Sequence, residues 1–325
     1  MKNCLIFGEA LVDDFPDQSV IGGAPFNVAR SLALLGVENL MITRIADDAH
    51  GRQILQECER YGVATEGVQI DPHYPTGRVV VHMGSGDGDA HDGPTHRFEI
   101  MQQQAYDYID GDQVMTVVAQ QFPEYPPDLV YFGSLIQRQE GSRASLLALL
   151  ESDLCEGSTK FLDLNLREAQ FTLETVQLSL SYADIVKLNE DELVYVLAHA
   201  LPVAYPESIE LEAGSLTKAC RAVMAEYMMQ AMIVTLGEAG YFYLDASGSV
   251  FTNLGHAGSS LQMPANWTLC DTVGAGDAFS ACFIRGWLAN RELDRVLSQA
   301  HQFATAICGV RGAIAPDRQF YQAWP

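Results

Sequence analysis

The stretch "GGAPFNVARSLALLGVENLMITRIADD", residues 22–48, decides the fold. Pro25 suits the first turn of a helix, Val28, Leu32 and Leu35 form a stripe at helical spacing, and Gly36 ends it. The following "NLMITRIADDAHG" reads as a strand and a loop. Outward from there, residues 4–7 form a short apolar run with the length of a buried strand, and "RQILQECERYG" reads as a helix stopped at Gly62. Strand, helix, strand, helix is the rhythm of a parallel sheet covered by helices.

The middle of the chain departs from that rhythm. "GRVVVHM" and "THRFEI" are β-rich runs separated by the turn-forming cluster "GSGDGDAHDGP", so residues 74–104 predict an inserted hairpin. Alternation resumes with the strand "DLVYFG", the helix "SRASLLALLES", the strand "KFLDLN", the helix "FTLETVQLSLS" and the strand "DIVKLN". "LPVAYPESIELEAG", residues 201–214, reads as an exposed connection. Beyond it come the helix "SLTKACRAVMAEYM", the strand "AMIVTLG" and a hairpin in "AGYFYLDASGSVFTN". Without an internal repeat or an interior boundary, residues 1–325 read as one large α/β domain with an appendage.

Composition narrows the partners. Against 42 acidic residues stand only 19 Lys and Arg, a net charge of −23, so nucleic acid and anionic membrane surfaces would be repelled. The only lysines are Lys2, Lys160, Lys187 and Lys218. Lysine scarcity with an acid excess suits a protein working in high salt, and an ordinary acidic cytoplasmic protein accounts for it equally. The seven cysteines are scattered, odd in number and never spaced C-x-x-C, as expected of free thiols in a reducing compartment. No stretch approaches the ~20 apolar residues of a membrane helix, and the first residues lack the pattern of a secretion signal, so a cytoplasmic location is expected.

The chemistry concentrates in "DTVGAGDAF", residues 271–279. A glycine-rich turn running into a helix aims backbone N–H groups and the positive end of the helix dipole at one spot, where an anion should sit. Phe279, Cys282, Phe283 and Gly286 recur at helical spacing, which supports that helix. Asp277 reads as a plain helix cap, or as a base taking a proton from a hydroxyl that attacks a phosphate held by the turn. Other candidate motifs fail on inspection. "GSGDGD" lacks the following helix of a dinucleotide loop, and "DGDAHDG" misplaces His91 and Asp92 for a calcium loop. His82, His91 and His96 lack metal spacing, and neither a Walker P-loop nor G-x-S-x-G occurs.

"DTVGAGDAF" resembles the C-terminal motif of the ribokinase-like (PfkB) carbohydrate kinases. "GEALVDD", "GGAPFNVARSLALLG", "PTGR" (75–78), "DLNLR" (163–167), "KLNEDEL" (187–193), "VTLGEAG" (234–240) and the "GA" at Ala313 resemble further family segments, in family order over almost the whole chain. Within the family the chain is most similar to fructokinases. The resemblance implies a doubly wound, mainly parallel α/β sheet with a small β-sheet lid formed by segments 10–22 and 74–104. It implies ATP-dependent transfer of a phosphoryl group to a sugar hydroxyl, with fructose 6-phosphate the leading product.

Carried over by position, the resemblance makes Asp277 the base, with the amides of Gly274, Ala275 and Gly276 stabilising charge on the transferred group. Asp13, Gly22, Gly23, Asn27 and Arg167 would bind the sugar. Lys187, Asn189, Thr235 and Gly237 would approach ATP, together with Gly274 and Gly276. Asn189 and Glu192 would hold Mg²⁺ through water, and a monovalent cation site stays open. From spacing alone, Asn189 and Glu192 read more readily as a helix cap and its capping-box partner, and Gly22–Gly23 equally as a tight turn. After Arg167 the chain has "EAQF" where the fructokinase-like pattern has proline and an aromatic residue. That departure leaves room for another sugar or a sugar acid such as 2-keto-3-deoxygluconate, whose carboxylate Arg167 would bind. A sensor that keeps the fold without catalysis is the alternative of another class. Pairing of lids implies a homodimer.

Overall fold

The computed structural model describes residues 2–16, 18–83, 96–203, 209–254 and 267–324. The expected turn cluster at 84–94, with His91, and the middle of the 201–214 connection lie outside the described residues. In chain order the first half runs β1 (Cys4–Phe7), β2 (Leu11–Asp14), β3 (Ser19–Gly22), α1 (Ala24–Leu34), β4 (Asn39–Ala46), α2 (Ala49–Tyr61), β5 (Val68–Asp71), β6 (Gly77–Met83), β7 (His96–Ile100), α3 (Gly111–Gln121), β8 (Leu129–Gly133) and α4 (Glu140–Glu151). The second runs β9 (Thr159–Asp163), α5 (Leu173–Tyr182), β10 (Ile185–Asn189), α6 (Glu190–Tyr195), α7 (Ala213–Tyr227), β11 (Ala231–Thr235), β12 (Tyr241–Asp245), β13 (Val250–Thr252), α8 (Ala275–Leu288), α9 (Leu293–Ile307) and α10 (Arg318–Gln322).

Nine strands form one sheet in the order β13-β12-β11-β10-β9-β8-β1-β4-β5. All neighbours pair in parallel except β11–β12 and β12–β13. Successive side chains along a strand point to opposite faces. Thus Leu5 and Phe7 enter one core with Phe132, Leu162 and Val186, while Cys4 and Ile6 enter the other with Tyr131, Phe161 and Ile185. Helices α3 to α7 cover the first face; α1, α2, α8, α9 and α10 cover the second. Burial on both faces explains why these strands read as unbroken apolar runs and not as alternating ones. The architecture is the expected doubly wound α/β sheet.

A separate four-stranded sheet has the order β3-β2-β6-β7, with β2 and β6 parallel and the outer pairs antiparallel. The expected hairpin at 74–104 supplies β6 and β7. Residues 11–22 supply the other two strands.

The chain order reverses between β1 and β8: from β8 the sheet continues to β9, β10 and β11, and from β1 to β4 and β5. A crevice opens at the carboxyl ends of strands at such a switch point. Helices α1 and α8 lie side by side next to it. Asn27 in the first turn of α1 donates to Asp277 in the first turn of α8, and Arg285 near the end of α8 donates to the Leu35 carbonyl at the end of α1. The two helices therefore run parallel, and both positive dipole ends face the crevice. Phe26, Phe279 and Phe283 are fully buried around this pair and contribute roughly 1.5–3 kcal/mol each. A Cβ on Gly286 would stand 2.6 Å from Val296, so α9 packs tightly behind α8 and fixes its position.

Candidate active site

The crevice is a cleft of about 880 Å³, floored by the ends of β1, β9, β10 and β11 and walled on one side by α8. Leu11, Asp13, Val79 and Ile100 of the small sheet line the other side. Every site residue expected from the sequence lines it except Gly22. Asp13, Gly23, Asn27, Arg167, Lys187, Asn189, Glu192, Thr235, Gly237 and residues 274–277 all do. Residues more than 250 positions apart in sequence are thus brought into one space.

The entrance of α8 is built for an anion. Gly274 caps the helix with φ 78°, a conformation that only glycine adopts without strain, and a Cβ there would stand 2.3 Å from that of Ala313. At Gly276 a Cβ would meet the Lys187 ammonium at 3.0 Å. Gly274 thus lets the turn pack against Ala313, and Gly276 leaves room for the Lys187 ammonium beside the helix entrance. The Ala275 amide bends back to the Thr272 carbonyl at 3.3 Å, whereas those of Gly276 and Asp277 have no acceptor among the described residues. Amide donors, the helix dipole and a lysine therefore converge on one point, and a phosphate fits there.

Asp277 is not the cap of α8. It lies at the third helical position, half-buried, and makes no capping hydrogen bond. Its Oδ2 accepts from Asn27 Nδ2 at 2.7 Å, leaving Oδ1 free at the cleft. Burial, and next the Asp163 charge, raise its pKa above the usual aspartate range, while the Asn27 bond, Lys187 and Arg167 pull it down. A carboxylate with a raised pKa, a free oxygen and an anion cradle beside it is equipped to accept a proton.

Asp163, at the end of β9, is a neighbouring acid that is fully buried. Lys187 Nζ reaches both of its oxygens at 2.9 Å, Ser280 donates at 2.8 Å and Tyr131 at 3.2 Å. Its role is to hold Lys187 beneath Gly276. In the sequence, "DLNLR" points to Arg167 alone; the visible signal for Asp163 is an acid closing an apolar strand. Glu9 was missed as well, directly after the apolar run of β1. It is 3% exposed, Oε2 has no partner, and burial raises its pKa to about 7. Burial likewise raises Asp13 to about 6, against the pull of Arg167. Glu9, Asp13, Asn27 and Arg167 form a polar group between the two sheets, suited to a ligand rich in hydroxyls.

Asn189 and Glu192 form the capping box of α6. Asn189 Oδ1 accepts from the Glu192 amide, and Glu192 Oε2 accepts from the Asn189 amide, both at 2.8 Å. Glu192 Oε1 accepts from the Leu166 amide at 2.7 Å. With both oxygens engaged by backbone, this pair fits a metal held through water better than one bound directly. Among the described residues no group of three or more His, Cys, Asp or Glu could hold a metal ion. Thr235 stands at the end of β11 and Gly237 in the turn after it, and Trp267, Leu269 and Val273 add apolar surface to the cleft. His82 takes no part; it pairs with Glu99 at 2.8 Å on the small sheet.

A nine-stranded doubly wound sheet, a small second sheet over the cleft and a glycine-framed anion cradle beside an aspartate define the class of the ribokinase-like sugar kinases. The chain belongs to the pfkB family of carbohydrate kinases, whose pattern it matches over residues 11–319. It is 26% identical over 322 residues to the fructokinase of Klebsiella pneumoniae, an alignment covering 95% of this chain and 92% of that one. The fold superposes on fructokinase from Vibrio cholerae O395 in its fructose, ADP and calcium ion bound form with a TM-score of 0.75, at 22% identity and covering 100% and 99% of the two chains. It superposes equally, at 0.75, on 2-dehydro-3-deoxygluconokinase from Thermotoga maritima, at 16% identity and covering 99% of each. The protein is a carbohydrate kinase.

Proposed function

We propose that the protein transfers the γ-phosphoryl group of ATP to a sugar hydroxyl, with fructose, giving fructose 6-phosphate, as the leading substrate. The observation that carries this reading is the free Oδ1 of Asp277 beside the cradle of Gly274, Gly276 and Lys187, in a cleft whose other polar groups suit a polyol.

The sugar lies between Glu9, Asp13, Asn27 and Arg167, with its reacting hydroxyl at Asp277 Oδ1. The nucleotide phosphates run toward Asn189, Thr235 and Gly237, and the base lies against the apolar surface of Trp267 and Leu269. Asp277 takes the hydroxyl proton as the oxygen attacks in line. The amides of Gly276 and Asp277, together with Lys187, stabilise the charge spread over the transferring group. Mg²⁺ would be held through water by Asn189 and Glu192, and it supplies neutralisation of charge on the phosphate oxygens. The small sheet acts as a lid, excluding water that would otherwise hydrolyse ATP.

A second reading, phosphorylation of a sugar acid such as 2-keto-3-deoxygluconate, is favoured by one feature. Arg167 is an exposed cation in the cleft and would bind a carboxylate. A panel of sugars and sugar acids assayed for ADP release separates the two. Fructose is expected to give the highest kcat/KM; a sugar acid turned over faster would establish the second reading, and no turnover of any would reject both.

A homodimer through the small sheet belongs to the same proposal, and a monomer by light scattering would remove it. Among the described residues no helix is long and apolar enough to cross a membrane. A cytoplasmic site is proposed from the family and from the free cysteines.

A further inference from the structure

Arg30 occupies the second turn of α1 and is 3% exposed, an unusual place for a guanidinium. Its environment binds it on three sides. Nη1 donates to Glu57 of α2 at 2.9 Å, and Nη2 donates both to the Ile21 carbonyl of β3 at 3.1 Å and to Asn27 Oδ1 at 2.5 Å. The cation also lies 4.7 Å from the ring centre of Phe26 and 5.8 Å from that of Tyr61. The reaction as described above uses none of these contacts, although Asn27 is one bond from Asp277.

The two ends of an asparagine amide have nearly the same shape and opposite hydrogen-bonding roles. A guanidinium has donors and no acceptor, so it can face only Oδ1; an ionised carboxylate has acceptors and no donor, so it can face only Nδ2. Arg30 and Asp277 on either side of Asn27 therefore admit one orientation. Without Arg30 the amide is free to turn, and its Oδ1 would then repel Asp277. Because the same nitrogen of Arg30 holds the Ile21 carbonyl, the orientation of Asn27 is tied to the position of the small sheet.

We propose that Arg30, braced by Glu57, is a positioning residue for phosphoryl transfer: it fixes the Asn27 amide so that Nδ2 supports ionised Asp277, and it links that arrangement to strand β3 of the small sheet. The inference rests on the reading of Asp277 as the base. The groups facing Asp277 are Asp163, Lys187, Arg167, Glu9 and Tyr131, besides Asn27. Those facing Arg30 are Glu57, Tyr61, Tyr321 and Cys58. Of these only Asn27 is hydrogen-bonded to both Arg30 and Asp277, so it alone carries the effect.

Arg30→Lys keeps the charge and loses the fork. The Asn27 bond favours the ionised form of Asp277, so weakening it moves the acid limb of kcat/KM to higher pH. The expected displacement is about one pH unit, the size associated with losing a hydrogen bond to a charged group. The measurement uses fructose and ATP, or the panel sugar turned over fastest. A roughly 10-fold lower kcat is expected, with KM for ATP unchanged and a cooperative thermal transition retained. In an Asn27→Ala background the same substitution should displace the limb no further, because its route to Asp277 is gone. A folded Arg30→Lys protein with the wild-type limb and kcat would overturn the inference, and so would an equal displacement in the Asn27→Ala background. Should Arg30→Lys fail to fold, Arg30→Met carries the same expectations. Failure of the underlying reading looks different: Asp277→Asn would then keep its activity, whatever Arg30 does.

Discussion

Two carboxylates, the buried Asp163 at the end of β9 and the half-buried Asp277 at the start of α8, share one cleft and have opposite fates. Asp163 is saturated, with Lys187 on both oxygens and hydroxyl donors from Tyr131 and Ser280. Asp277 receives one bond, from Asn27, and keeps the other oxygen for a ligand. Ser280, one helical turn beyond Asp277, belongs to the partners of Asp163, so the two environments lie one turn apart along the same helix. Burial alone therefore does not make an acid reactive. What distinguishes Asp277 is incomplete satisfaction beside an anion cradle, and what distinguishes Asp163 is a counter-charge that cancels it.

The comparison breaks most readily at Asp163. Lys187→Met removes the counter-charge and leaves a carboxylate that is 1% exposed with hydroxyl partners only. Disrupting a buried pair in this way typically costs about 3–5 kcal/mol. Denaturant unfolding should show a loss of that order, together with weaker ATP binding, because Nζ stands under Gly276. Wild-type stability would mean that the pair is not what satisfies Asp163.

A smaller effect sharpens the contrast from the side of Asp277. Burial and the Asp163 charge raise its pKa. A general base works ionised, so kcat/KM should fall as pH drops through that raised value. The acid limb is therefore expected above pH ~3.9, where an ordinary aspartate titrates. Glu9 at about 7 and Asp13 at about 6 gain protons over a neighbouring range, so KM for the sugar should change there too. A profile that stays flat down to about pH 4 would contradict a base with a raised pKa.

The sheet was legible because each central strand is buried on both faces, which leaves long apolar runs such as those of β8 and β11. The hairpin at 74–104 was legible from its turn-rich interior. Strand β2 was hidden inside the "GEALVDD" motif: four residues with two acids, whose pairing with β3 and β6 is a property of the second sheet and not of local periodicity. Helices α3 and α9 went unread, although α9 presents a regular apolar face at Val296, Ala300, Phe303 and Ile307. In the site, glycine spacing and the acid at 277 were visible from residues and resemblance together. Local physics favoured Asp277 as a cap, and the structure places Gly274 there instead. The capping box of Asn189 and Glu192 was legible from spacing alone. The links from Glu57 to Arg30 and from Asn27 to Asp277 span 27 and 250 residues, and no sequence period reports such pairs.

The central claim is that Asp277 is the base and that the cradle beside it binds the nucleotide independently. Asp277→Asn keeps the size of the side chain and removes its basicity, so kcat with the preferred sugar should fall by ~10² or more while ATP binding, measured by calorimetry, stays near wild type. Retained turnover in a folded Asp277→Asn protein would contradict the account. So would loss of ATP binding together with activity.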